Sequence, residues 1–196
     1  MGLLVRIREF SQRVSFWIAA DRIGPDFPLT HWKLHFASSM RNLCESKFKK
    51  FGTESEFRPG SYAEACSKIS IGNNVVIRAG TYLFADPSPG GAGITIEDGV
   101  LIGSGVHFYT NNHGFSNPQI PIIEQGYPAT SNKDSILVRK GCWIGAGVII
   151  LPGVEIGENS VIGAGTVVTR SVPPRVVFAG NPGRVIRQLD VEQTEI

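Results

Sequence analysis

The chain has 196 residues, 42 % of them hydrophobic and 18 % charged, with a net charge of +2. That length suits one domain, or one domain with an attachment, and the scattered Lys and Arg argue against nucleic acid as the main partner. No apolar run reaches the roughly 18 residues of a membrane span, and three cysteines without paired or metal-like spacing suit a reducing, cytoplasmic compartment.

Leu3, Ile7, Phe10, Val14 and Trp17 fall on one helical stripe, which predicts an N-terminal amphipathic helix. Position six is Arg rather than the Ser or Thr of a myristoylation signal. Arg6, Arg8 and Arg13 interrupt the apolar stretch too often for a signal peptide. Two roles are open to the helix: docking on the body of the molecule or a neighbouring subunit, or weak peripheral contact with a membrane through its aromatic face and flanking basic residues. Residues 22–36 add Pro25, Pro28 and an apolar patch with Trp32 and Phe36, and residues 45–58 read as polar and basic. Residues 1–65 are therefore expected to form a partly helical extension, and residues 66–189 the main domain.

From about Ile69 the pattern changes. Ile71, Ile77 and Leu83 stand at every sixth position. After a shift so do Ile96, Ile102 and Phe108, and then Val138, Ile144, Ile150, Ile156, Ile162 and Val168. Neither a helix nor a half-buried strand has this period; hexads predict an all-β solenoid, a parallel β-helix in which each hexad forms one short face of a coil. Ala146-Gly147, Pro152-Gly153, Asn159-Ser160 and Ala164-Gly165 supply the turns. A short stack of this kind needs an oligomer or a terminal cap.

Two segments break the repeat. Asp86 to Gly91 is a Pro/Gly turn cluster, and residues 109–135 form a long loop carrying Pro118, Pro121 and Pro128. A loop expelled from a strict repeat is where functional residues collect on a rigid scaffold. The stack is expected to end at Pro173-Pro174, with a tail over residues 179–187 and a short C-terminal helix after it.

His113 alone among the four histidines lies in that loop, and an imidazole there can serve as a general base near neutral pH. The spacing of the histidines argues against a zinc site. His107 and His113 are one hexad apart, so they are expected on successive faces, while His31 and His35 precede the stack and no third ligand follows. Cys142 reads as a small buried hydrophobe and Ser104 as a turn residue, which leaves direct transfer assisted by a base.

The runs Gly141-Cys142-Trp143-Ile144-Gly145-Ala146-Gly147 and Val161-Ile162-Gly163-Ala164-Gly165-Thr166, followed by Gly180-Asn181-Pro182, resemble the hexapeptide-repeat acyltransferases. Within them the chain is similar to the galactoside and maltose acetyltransferases, and to the bacterial O-acetyltransferases of O-antigen and capsule assembly. Tyr109-Thr110-Asn111-Asn112-His113-Gly114 matches the segment that carries the family's catalytic histidine. The resemblance covers about residues 69–189. It implies a left-handed parallel β-helix, a homotrimer with active sites between subunits, and acetyl transfer from acetyl-CoA without a metal.

On that pattern His113 is the base. Trp143, Gly145 and Ala146 lie at the thioester end, with an amide of Gly145 or Ala146 as oxyanion donor. Ala164, Thr169 and Arg170 flank the pantetheine and adenine, and Arg184 and Arg187 meet phosphates. Asp86, Tyr109, Asn111, Asn112 and Glu124 are the candidates for binding the acceptor or orienting the imidazole, and Tyr82, Phe84 and Tyr109 for facing a sugar ring. Ala79-Gly80-Thr81 stands where the galactoside enzymes place an acceptor-binding asparagine, and Ile120 to Gly126 lacks their arginine pattern. The acceptor therefore stays open between a hydroxyl of a sugar or polysaccharide precursor and an amine of an aminosugar or antibiotic. A catalytically silent prism and a zinc hydratase complete the alternatives.

Overall fold

A computed structural model describes residues 3–23, 37–58 and 60–189. His31, His35, Pro25, Pro28, Trp32 and Phe36 lie outside these residues. Two helices, α1 (Leu3–Ala19) and α2 (Ala37–Lys47), precede three sheets of very short strands. Face A holds β1 (Arg22–Ile23), β4 (Tyr62–Glu64), β7 (Tyr82–Phe84), β10 (His107–Tyr109), β13 (Ile149–Ile150) and β16 (Val167–Val168). Face B holds β2 (Lys50–Phe51), β5 (Ile69–Ile71), β8 (Ile94–Ile96), β11 (Ile136–Val138) and β14 (Glu155–Ile156). Face C holds β3 (Glu56–Phe57), β6 (Val76–Ile77), β9 (Leu101–Ile102), β12 (Trp143–Ile144), β15 (Val161–Ile162), β17 (Val176–Gly180) and β18 (Gly183–Gln188).

The chain visits B, C and A in strict rotation, and each strand pairs in parallel with its counterpart one coil on. The exceptions are β1 with β4 and β17 with β18, which are antiparallel. The hexad residues stack in register: Ile71 on Ile96 on Val138 on Ile156 within B, and Ile77 on Ile102 on Ile144 on Ile162 within C. Leu83, Phe108, Ile150 and Val168 do the same within A. All are buried, and each contributes roughly 1.5–3 kcal/mol.

The coil begins earlier than the boundary expected at residue 66. Phe51, Phe57 and Ala63 pair with Ile71, Ile77 and Leu83 and form a first coil with the same spacing. Residues 45–58, expected to be polar, thus supply core. Phe48 stacks on Phe51 at 5.8 Å and meets Phe57 edge-on at 5.5 Å, and α2 buries Met40 and Cys44 over this end. The open end of a stack must be covered, and α2 covers it.

The far end also differs from expectation. Pro173-Pro174 turns the chain rather than stopping it: Val172 bridges to Ile156, and Phe178 takes the next inward position beside Ile162. The tail then returns as β18, closing a hairpin with β17. The helix expected beyond it falls on residues 190–196, outside the described ones. At the start, Ile7 and Phe10 of the α1 stripe are exposed and Val14 is half-buried, while Lys47 Nζ donates to Ile18 O at 2.9 Å and to Ala20 O at 2.7 Å.

Candidate active site

The three corners of the prism are not equivalent. From B to C and from C to A every step between inward residues is one hexad. All insertions sit at the A-to-B corner: a short 3-10 turn (Cys66–Lys68), the Pro/Gly segment after Asp86, and residues 110–135 after β10.

The C-to-A corner is built from Gly103-Ser104-Gly105, Gly145-Ala146-Gly147 and Gly163-Ala164-Gly165 on successive coils. The backbones nearly touch: a Cβ on Gly103 would sit 2.6 Å from Ala146 N, and one on Gly145 would sit 2.6 Å from Ala164 N. The column continues to Ala179, 2.8 Å from where a Gly163 Cβ would be, and Ala179 pairs with Arg184. Ala146 and Ala164 are exposed and Gly145 is buried behind them. Trp143 stands on face C beside the second coil of this track, between Leu101 and Val161, with half of its surface open. Arg184 and Arg187 stand exposed on β18 at the other.

Of the two amides expected to hold an oxyanion, that of Gly145 is spent on Ile162 O at 2.8 Å. Its N–H belongs to the ladder between coils, which leaves the amide of Ala146.

His113 occupies the other side of face A. It is exposed, and its ring lies against Tyr127 with 4.0 Å between centroids. The loop closes behind it through the Gly114 amide, which donates to Gly126 O at 2.8 Å, while the Gln125 side chain donates to Asn117 O and Ile120 O. Asn112 and Glu124 are exposed on the same loop, Asn111 is half-buried, and Asn111 Oδ1 accepts from the Asn112 amide. Thr169 and Arg170 follow β16, so they too lie at the A-to-B corner, two coils further on. The structure therefore splits the expected cofactor residues between two corners. It leaves His113 a whole face away from Trp143 and Ala146 within one chain.

Two expectations change. Asp86 does not face an acceptor: it is 2 % exposed, and its carboxylate accepts from Thr130 Oγ1 and from the Ser88 amide. Burial opposes its charge, but hydrogen bonds from Thr130 and Ser88 and the nearby Lys68 ammonium outweigh that and hold the carboxyl below its ordinary value. Nor do Tyr82, Phe84 and Tyr109 offer ring faces to a sugar. They form an outward ladder on face A in which Phe84 stacks on Tyr109 at 5.2 Å and Tyr82 on His107 at 4.8 Å. Tyr82 and Phe84 lie side by side at 5.8 Å, and the Tyr109 hydroxyl bonds His107 Nδ1 at 2.8 Å. These rings pack on one another along face A.

Cys142 is 1 % exposed, donates to Gly157 O at 3.1 Å and has its thiol pushed up by burial, so no nucleophile is ready there. Among the described residues no three His, Cys, Asp or Glu side chains group as metal ligands, and no helix is long and apolar enough to cross a membrane.

Comparison with known proteins adds to this geometry. Residues 135–170 match the family described as bacterial transferase hexapeptide (six repeats), and residues 63–85 match the hexapeptide repeat of succinyl-transferase. A galactoside O-acetyltransferase of Escherichia coli is 35 % identical over 150 residues, covering 76 % of this chain and 68 % of the relative. A hexapeptide-repeat acetyltransferase of Vibrio cholerae, solved with acetyl coenzyme A, is 30 % identical with a TM-score of 0.69 over 82 % of this chain and 84 % of that one. A galactoside acetyltransferase in complex with coenzyme A is 28 % identical, with a TM-score of 0.70 over 90 % of both chains.

Proposed function

The chain belongs to the hexapeptide-repeat acetyltransferases, and from that premise we propose that it moves an acetyl group from acetyl-CoA to a hydroxyl of a sugar or polysaccharide precursor, with His113 as general base. Acyl transfer from acetyl-CoA is the family's chemistry, and the coil is read as left-handed in keeping with its relatives. The observation that carries the reading is the bare C-to-A track, open from Trp143 past Ala146 and Ala164 to Arg184. Its exposed side chains are those of the small Ser104, Ala146 and Ala164, with an indole beside the second coil and guanidinium groups at the far end. A long flexible thioester with phosphates at its far end fits that donor set. When bound, acetyl-CoA supplies the activated acetyl group.

The residues of the chain do the rest. The His113 imidazole accepts the acceptor's hydroxyl proton as the new ester bond forms and gives it up to the departing thiolate. A positioned base is typically worth about 10²–10⁴-fold. The Ala146 amide holds developing negative charge, worth about 2.7–4 kcal/mol for such a donor. Asn112 and Glu124 flank the acceptor on the same loop.

Because His113 and Ala146 lie at opposite edges of face A, the working site needs two copies, the A-to-B corner of one against the C-to-A corner of the next. Face A suits such burial. Tyr62, Tyr82, Phe84, His107 and Tyr109 line its outside, and Ile149 and Leu151 continue the row. Face B suits solvent: Arg139 bridges Glu155 at 2.8 Å and Glu97 at 3.1 Å across it. A closed homotrimer satisfies this head-to-tail arrangement.

The test is thiol release from acetyl-CoA with methyl galactoside, maltose and glucosamine as separate acceptors, beside calorimetry of acetyl-CoA binding. Turnover with a hydroxyl sugar supports the reading. Turnover confined to glucosamine with acetylation at nitrogen transfers it to amines, and no acetyl-CoA binding by the folded oligomer refutes it.

A further inference from the structure

The loop that carries His113 has little regular structure, so something must fix where it stands. Residues 110–135 contain only the short turns Ile122–Glu124 and Asn132–Asp134. Several of their ties to the prism gather at the Asp86-to-Gly93 insertion of the preceding coil, while the Gly153 amide of the following coil donates to Asp134 O at 2.9 Å. Thr130 Oγ1 donates to Asp86 Oδ2 and accepts from the Ala92 amide at 2.9 Å. The Gly93 amide donates to Ser135 Oγ at 3.0 Å, and the buried Thr110 donates from its hydroxyl to Phe84 O at 3.1 Å. Beneath, Lys68 Nζ donates to Asp86 O at 2.6 Å and also to Ser88 O.

The carboxylate is enclosed by design of the backbone: a Cβ on Gly91 would stand 2.7 Å from Asp86 Cγ and Oδ2. Only glycine lets the turn close over it. A charged group so enclosed, with its hydrogen bonds satisfied, holds its partners in one geometry more firmly than a surface contact does.

We infer that Asp86 and Thr130 form a clamp that positions the His113 loop, with Lys68 as its counter-charge, and that neither residue touches the acceptor. The inference rests on the acetyltransfer reading for its kinetic consequence, though the clamp itself stands on geometry alone. Removing the Thr130 hydroxyl leaves Asp86 Oδ2 and the Ala92 amide unpartnered and frees the return strand of the loop. Asp86→Asn presents an N–H₂ to a hydroxyl already bonded by the Ala92 amide. Misplacement of a catalytic group by about 1 Å costs on the order of 10²-fold, so the loss falls on kcat.

The experiment compares Thr130→Val, Thr130→Ser and Asp86→Asn in the full-length oligomer. Amide hydrogen exchange is read at Gly114, with Gly163 in the coil as reference, acetyl-CoA binding by calorimetry, and kcat and KM by thiol release with whichever acceptor turns over. Thr130→Val is expected to speed exchange at Gly114 by about tenfold or more with Gly163 unchanged. It should lower kcat by about 10–10²-fold while KM for acetyl-CoA holds, and Thr130→Ser should restore both. Unchanged exchange at Gly114 overturns the clamp, whatever the activity. A raised acceptor KM with unchanged kcat in Asp86→Asn overturns it in favour of an acceptor contact. Absent acetyl-CoA binding in the wild type would refute the acetyltransfer reading while the exchange result still decides the clamp.

Discussion

The C-to-A and A-to-B corners come from the same repeat and behave as opposites. At the C-to-A corner a methyl group on Gly103 or Gly145 would collide with the backbone of the next coil, and no coil carries an extra residue there. At the A-to-B corner the first three turns each admit an insertion, and the longest holds the histidine. Close stacking makes one edge a fixed, bare rail along which a long ligand can lie. Freedom at the other edge lets the chain leave the stack and bring chemistry to it. A single prism holds both, separated by face A, which is why the proposed site takes two chains.

The largest expected effect tests the chemical edge. His113→Ala should lower turnover by about 10²–10⁴-fold with melting temperature and acetyl-CoA affinity unchanged, because the ring is exposed and lies against the exposed Tyr127 rather than in the core; thiol release and calorimetry check it. Next comes the core between the edges: Ile144→Ala should cost about 2–5 kcal/mol, read by denaturant unfolding, since Ile144 is wholly buried.

A pair of glycine substitutions sharpens the contrast itself. Gly145→Ala puts a methyl 2.6 Å from Ala164 N and should cost about 1–3 kcal/mol through forced shifts. Gly126→Ala meets nothing within 4 Å but has φ +61, so its cost should be about 1 kcal/mol of backbone strain. Equal melting temperatures for the two would break the distinction.

Titration gives a further effect at the capped end. Burial pushes the thiols of Cys44 and Cys66 up to about 12. A raised folded value means the stabilisation is full below the unfolded value near 9 and is lost as pH rises towards about 12. Cys44→Ala should flatten that alkaline limb in a pH series of unfolding midpoints. Arg139→Ala on face B should have the smallest effect, an unchanged melting temperature, because its pairs are exposed and screened.

The sequence exposed the coil where the inward positions are all large and apolar. It hid the first coil because Phe51, Phe57 and Ala63 mix sizes and the step from Ala63 to Ile71 breaks the count. The histidine was legible because the repeat stops around it. Asp86 was legible as a special residue but not as a clamp, since its partner Thr130 is 44 positions away and only folding joins two insertions of one corner. In the sequence the hairpin of β17 and β18 looks like a tail because β18 is almost wholly exposed and alternates no apolar pattern.

The shared site is tested most directly by mixing two disabled chains. His113→Ala spoils the A-to-B corner, and Ala146→Trp blocks the C-to-A corner. Co-expressed at equal levels and purified as mixed trimers, they should recover roughly a third of wild-type thiol release, because one of the three junctions in each mixed ring pairs two intact corners. Activity no greater than that of the two parent oligomers would contradict the account and return the whole site to one chain.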